Sequence, residues 1–368
     1  MTSIFTRSPF IIEVNEASQV STKVELYIGN GWNTTPTSPT YTLSKLIAAS
    51  NKPETHYNIS PYLREFMDFN GITSAYANDV MRYESYGSVV VKRYKTVGTT
   101  ESLIDSTTYF FFDGYGYYED GSNPDLGRSL MTSGTYYYNY DSTIDLATDF
   151  DEVPSSIGVP LEGLAGEQYR ANYTNLRTGA TTSVVKTLLV APSLSRNVAR
   201  QFKSVIDAYY ADGNSVVITD NVTSDVLGIY RFYPKTACKY TPVKCDFVNK
   251  FGQYQRLWFY AASNDSIEVT SKEYKNLQSS ITSFNTIEGQ RKEFNLNGKE
   301  SIKVNTDWVD ESFSDVLKEI MLSEKVLIDD KPAKLKNKST ELFKNINTKQ
   351  INYTLDFEFN YNTINNVI

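Results

Sequence analysis

Ile351-Asn352-Tyr353-Thr354-Leu355-Asp356-Phe357-Glu358-Phe359-Asn360-Tyr361 alternates apolar and polar residues without a fault. In an extended chain successive side chains point to opposite faces, so one face of this stretch must be buried and the other wet. The same period of two recurs at Val24, Leu26 and Ile28, with Glu25 and Tyr27 between them. These two stretches make the chain β-rich. A strand as long as 351–361 can reach beyond a small domain, in which case its edge would add to a neighbouring chain's sheet.

Upstream of this strand, Phe313, Val316, Leu317 and Ile320 fall at helical spacing. Asp310, Glu311 and Asp315 crowd the start of that helix and Lys325 lies past its end, an order that suits the helix dipole. Val326–Ile328 begins a strand that Asp329-Asp330-Lys331-Pro332 turns. Lys292–Asn295 and Ser301–Val304 flank Asn297-Gly298, a favoured two-residue hairpin turn. Further back, Cys238–Asn249 and Tyr254–Tyr260 flank the tight turn Lys250-Phe251-Gly252 and read as a hairpin. Val184–Val190 and Val216–Thr219 read as strands. Between them Ser195 would cap a helix carrying Val198, Phe202, Val205, Ile206 and Tyr209 on one face.

The first 118 residues read as short strands: Pro9–Val14, the run around Val24, Tyr41–Leu46, Val89–Tyr94 and Thr108–Phe112. A short helix opens at Ser60-Pro61. The expected fold class is mainly β: two or three β-rich modules of the immunoglobulin or fibronectin sandwich kind, a few short helices, and a C-terminal α+β module. The expected domains are an N-terminal β-sandwich at 1–118, an irregular Tyr/Asp/Gly-rich insertion followed by a second β-rich module at 119–275, and a C-terminal β-rich module with one amphipathic helix at 276–368.

The chain has 368 residues, suited to two or three cores. Hydrophobic residues make up 40% and charged residues 21%, a globular balance. Tyr is abundant, at 28 residues, which suits both sheets and binding surfaces. The net charge is −7, and residues 101–170 hold thirteen Asp and Glu against Arg128 and Arg170. No basic face is evident, which argues against nucleic acid as the partner. An acidic segment also fits an anionic membrane poorly. The N-terminal apolar run is too short for a signal-peptide core and no run reaches transmembrane length, so the expectation is a chain folded in a cytoplasm without membrane insertion. Cys238 and Cys245 are expected to be free thiols.

Chemistry is sparse. His56 is the one histidine and sits in a strand, so a Ser-His-Asp or Cys-His device would have to use it. Zinc, P-loop and dinucleotide motifs are missing from the sequence. Asp113, Glu119, Asp120 and Asp125 lie among Gly114, Gly116 and Gly121, but they do not match a calcium loop. Trp32, Tyr41 and the group Tyr136, Tyr137, Tyr138 and Tyr140 either stack on sugar rings or pack as structure. No catalytic, cofactor-binding or metal residue is assigned and no cofactor is expected.

Several stretches resemble a known group. They are Ser8-Pro9-Phe10, Ile59-Ser60-Pro61-Tyr62, Phe247-Val248-Asn249-Lys250-Phe251-Gly252 with Leu257-Trp258-Phe259, Asn305-Thr306-Asp307-Trp308, Leu322-Ser323-Glu324-Lys325-Val326, and Ile351 to Phe359. Together they resemble virion structural proteins of tailed bacteriophages, above all those infecting Bacteroidetes-type hosts, where such chains associate with tail, neck or baseplate. The resemblance implies a virion subunit assembled in the host cytoplasm into a homo-oligomeric ring or other symmetric complex, with other virion proteins as partners. It carries over no active-site residue. Two alternatives stay open: a module on the virion surface that binds a receptor or host glycan, and a carboxylate-dependent glycan hydrolase.

Overall fold

The computed structural model describes residues 4–30, 36–48, 52–67, 86–125, 132–139, 157–159, 163–164, 168–187, 196–197, 200–202, 212–235, 239–252, 254–277, 282–283, 286–337 and 350–365. The fold is mainly β, with several separate sheets and two α-helices among the described residues.

The first module contains β1 (Ile4–Phe5), β2 (Ile11–Val14), β3 (Ser21–Asn30), β4 (Tyr41–Leu46), β5 (Thr55–Asn58), α1 (Ser60–Arg64), β6 (Tyr86–Val97) and β7 (Thr100–Phe112). Five of the strands form a sheet in the order β1-β7-β6-β3-β4. The alternation seen at 24–28 places Val24, Leu26 and Ile28 in the core beside Val89, Val91 and Phe111. The covering layer is the antiparallel ribbon β2–β5 together with α1, which contribute Ile12, Val14, Tyr57, Ile59 and Leu63. Three buried hydroxyls satisfy one another at the seam: Thr22 Oγ1 lies 2.7 Å from Thr55 Oγ1 and 2.6 Å from Tyr57 Oη.

Next come β8 (Gly134–Asn139), β9 (Ile157–Val159), β10 (Gly163–Leu164), β11 (Gln168–Asn175), β12 (Thr181–Thr187), β13 (Arg196–Asn197), β14 (Arg200–Phe202), β15 (Asn214–Asp220) and β16 (Val226–Lys235). A second five-stranded sheet has the order β12-β11-β15-β16-β8, with β8 joined parallel to β16. The helix expected from Ser195 is not formed over the described part of its span. Arg196–Asn197 pair with β10 and Arg200–Phe202 pair with β9. Long-range strand partners outweigh an apolar spacing that a handful of residues can satisfy by chance. The rest of that span, 198–199 and 203–211, lies outside the described residues.

The third sheet is the largest. Its strands are β17 (Val243–Val248), β18 (Tyr254–Phe259), β19 (Asn264–Lys275), β20 (Arg291–Asp310), β21 (Val326–Ile328), β22 (Lys331–Leu335) and β23 (Gln350–Asn362), with α2 (Phe313–Leu322) between β20 and β21. The order is β18-β17-β21-β22-β23-β20-β19. The hairpin around residues 250–252 forms, although β17 begins at Val243 rather than at Cys238. Gly252 turns it with φ +77°, and a Cβ there would sit 2.7 Å from the Asp113 backbone nitrogen. α2 buries Phe313, Val316, Leu317 and Ile320 as its spacing requires.

Three expectations change here. Asn297-Gly298 is no hairpin turn, because β20 runs unbroken through it. The Asn297 side chain accepts from the Gly298 and Ile364 backbone N–H groups, and Gly298 leaves room where a Cβ would meet Ile267 and Thr363. The boundary at 275/276 cuts through the third sheet, because β19 pairs with β20 and β17 with β21. Finally, β23 is an interior strand of its sheet: β20 pairs along one side and β22 pairs with Phe357–Phe359 on the other.

The second and third sheets bury one common cluster. Tyr136, Tyr173, Val216, Tyr230 and Phe232 from the former join Phe247, Phe259, Leu317, Leu355 and Phe357 from the latter. The first module keeps its own core and docks through a polar joint. Tyr115 N–H donates to Lys250 O at 2.7 Å, and Arg7 Nη2 donates to Leu322 O at 2.9 Å. Arg64 pairs with Glu324 and stands 3.7 Å from Asp113.

Asp113 is 3% exposed and accepts from Thr6 Oγ1 at 3.3 Å. Burial pushes its carboxyl up to about 6, against the pull of Arg64 and Arg7 and with the push of Glu324. The folded chain therefore holds this proton to higher pH than the unfolded chain, and stability falls as pH rises from about 4 to 6. The contribution lost is roughly 3 kcal/mol. Asp113→Asn should flatten the melting temperature over that window relative to wild type. Equal slopes in both proteins would show that the group does not titrate in the joint.

Candidate assembly surface

The feature of the third sheet with the least internal explanation is its β19–β20 end. All twelve residues of β19 are exposed, as are the first six of β20. A strand normally buries one face, as β23 does. Here apolar side chains stay in solvent on both faces. Ile267 and Val269 are 56% and 58% exposed. On the opposite face Tyr274 packs edge-on against Phe294 with ring centroids 5.6 Å apart, and both remain accessible. Leu277 and Ile287, in the connection between the two strands, are more than 90% exposed. Exposed apolar residues gathered on one element mark a contact surface, whereas scattered ones carry no such meaning.

Polar residues frame this arm. Ser266 and Ser301 hydroxyls lie 2.8 Å apart across the pair, Arg291 stands 3.5 Å from Glu273, and Lys299 and Lys334 flank Glu358. The two lysines hold the Glu358 carboxyl below the usual carboxylate range, mainly through the Lys334 hydrogen bond. At the foot of the arm a cleft of about 610 Å³ opens between the start of β19 and the start of β17, lined by Val243, Ile267, Ile302, Ile328 and Phe359 with Asp265 and Lys331 at its rim. Hydroxyls of Thr241, Ser263 and Ser301 and the acids Glu300 and Asp329 also line it, so the cleft mixes apolar, hydroxyl and charged groups as polypeptide contacts do.

The residues singled out for chemistry are dispersed. His56 is exposed on β5, 3.9 Å from Glu13. Asp113 belongs to the joint, and Asp120 accepts from Tyr117 N–H to close a single turn. No group of three His, Cys, Asp or Glu side chains placed to hold a metal occurs among the described residues. The buried carboxylates each have a partner: Asp246 has Arg256, and Glu319 accepts from Thr132 Oγ1 and from Lys250 N–H. Burial raises the Glu319 carboxyl above its ordinary value.

The tyrosine group divides. Tyr136 is core, with its ring stacked near Phe232 and its hydroxyl donating to Thr132 O, so it is no sugar platform. The Tyr137 hydroxyl accepts from Asp310 N–H at 2.8 Å while Lys235 lies over the ring. Tyr41 packs against Tyr62 and Phe66. Cys245 is a buried free thiol. Trp32, Tyr140 and Cys238, and the side chain of Tyr138, lie outside the described residues.

The arm itself escaped the sequence reading. Its one signal is Ile267 and Val269 alternating with Ser266, Glu268 and Thr270, a pattern too short to stand out beside 351–361. No protein-family model matches the chain and no curated protein matches it. No described helix is long and apolar enough to cross a membrane.

Proposed function

We propose that this chain is a structural subunit of a tailed-phage virion, in the tail, neck or baseplate, and that it acts by protein–protein assembly without covalent chemistry. The supporting observation is the β19–β20 arm, which displays apolar side chains on both faces and whose outer edge no described strand covers. Burying Ile267, Val269, Tyr274 and Phe294 against a neighbour would offset the ordering of that interface. The virion setting comes from the sequence resemblance.

Mass spectrometry of purified particles of the phage that encodes the chain tests the proposal. The chain should be present at a fixed copy number relative to the major capsid protein. The double change Ile267→Asp and Val269→Asp should lower incorporation about tenfold or more, while shifting stability by no more than about 0.5 kcal/mol because both positions are exposed. Particles that lack the chain, or that incorporate the variant as well as wild type, would remove the support for this reading.

A further inference from the structure

β20 occupies one side of β19, and no described strand occupies the other. Natural edges of this length, roughly 40 Å, are usually blunted by proline, by a bulge or by being cut short. β19 contains no proline. The irregularity between β19 and β20 falls on β20. Ser271 alone separates Thr270 from Lys272, whereas Asn295 and Leu296 both separate Phe294 from Asn297. Asn295 carries the left-handed φ of 52°. The extra residue therefore bends β20 and leaves β19 alternating evenly along its whole free edge.

Charge is what remains to control that edge, and it is ordered. Asp265 and Glu268 lie in the first half of β19, and Lys272 and Lys275 in the second, where the one acid, Glu273, is paired with Arg291 of β20. We propose that β19 pairs antiparallel with β19 of a second copy of this chain, about a twofold axis at Thr270, so that two seven-stranded sheets become one. In this register Asp265 of each copy faces Lys275 of the other, and Glu268 faces Lys272. Symmetry repeats both pairs. Ser266 faces Tyr274, Val269 faces Ser271, and Ile267 faces Glu273, whose carboxylate keeps Arg291 beside it. Sliding by one residue opposes Glu268 to Glu273 or leaves no acid opposite a base. Sliding by two opposes Asp265 to Glu273 or again leaves none. The edge therefore specifies its own register, which is what an isologous contact requires.

This inference rests on the assembly reading and names its partner as a second copy. Sedimentation equilibrium of the full chain should show a dimer that weakens with salt. Glu268→Lys and Lys272→Glu, each placing like charges opposite twice, should each raise the dissociation constant about tenfold or more, and the double exchange should restore it to within about threefold. At concentrations below the dissociation constant, where every form is monomeric, thermal melts of the three variants should match wild type, since both residues are exposed. Thr270→Cys should form a disulfide-linked dimer on oxidation that wild type does not form. If the chain self-associates or enters particles but ignores all of these changes, the pairing is overturned and the assembly reading stands. If the chain stays monomeric at every concentration while arm variants lose incorporation, a different virion protein occupies β19 and the self-pairing is again overturned. A monomer that also never enters particles overturns both.

Discussion

Phe357→Asp should abolish cooperative folding of the second and third sheets. Phe357 is fully buried at the centre of β23, opposite Ile302 on β20 and Leu335 on β22, with its ring 6.3 Å from that of Phe259. Losing the ring alone costs about 3–5 kcal/mol. A carboxylate in its place would sit among apolar side chains such as Phe259, Ile302 and Leu335, and must either ionise without solvent or hold a proton at a further cost of several kcal/mol. The total approaches the whole stability of a typical domain, about 5–15 kcal/mol. Near-ultraviolet circular dichroism should lose the signal of the shared core. A residual melting transition should remain, because the first module has its own cluster around Leu26, Val89 and Phe111. Phe357→Leu should melt cooperatively at a moderately lower temperature. A soluble Phe357→Asp protein with unchanged melting would mean that this face of β23 is not buried.

The second large effect is expected at Asp246 and Arg256. They are opposed across β17 and β18, and the guanidinium holds the carboxylate through Nε at 2.7 Å and Nη2 at 2.9 Å. Both residues are almost inaccessible, at 0% and 3%. Two ions removed from water are tolerated because each satisfies the other bidentately. Asp246→Ala or Arg256→Met removes the opposite charge from a buried ion and should cost about 3–5 kcal/mol by denaturant titration. The combined change Asp246→Leu and Arg256→Met should recover most of that loss, since an apolar pair needs no solvent. A double variant as unstable as the sum of the singles would show that the pair holds the hairpin in a way apolar packing cannot replace.

Much of this architecture was legible because burial leaves a period in the chain. The faultless alternation at 351–361 became β23, the stripe Phe313, Val316, Leu317 and Ile320 became the buried face of α2, and Val24, Leu26 and Ile28 became the centre of the first core. What stayed illegible was whatever depends on a partner far away in sequence. Asn297-Gly298 has the chemistry of a turn, yet the pairing of β20 with both β19 and β23 holds it extended. The residues after Ser195 have helical spacing, yet β10 claims Arg196–Asn197 and β9 claims Arg200–Phe202 as strands. Glu319 looks like an ordinary exposed helix residue until the Lys250 backbone and Thr132 close over it. The candidate surface was the hardest to see, because exposed residues are under no burial constraint and the alternation around Ile267 and Val269 is only five residues long.

The position of β23 has a consequence for biosynthesis. Among the described strands it is the one that links β22 on one side to β20 and the arm on the other. A ribosome therefore makes β19 and β20 well before it makes the strand that fastens them to the body. Nascent or prematurely terminated chains should hold the sticky edge unanchored and degradable, so that only chains carrying β23 present it in rigid form. Limited proteolysis of a chain stopped before Gln350 should cut between 264 and 310 at rates far above wild type, and equal resistance would refute this timing.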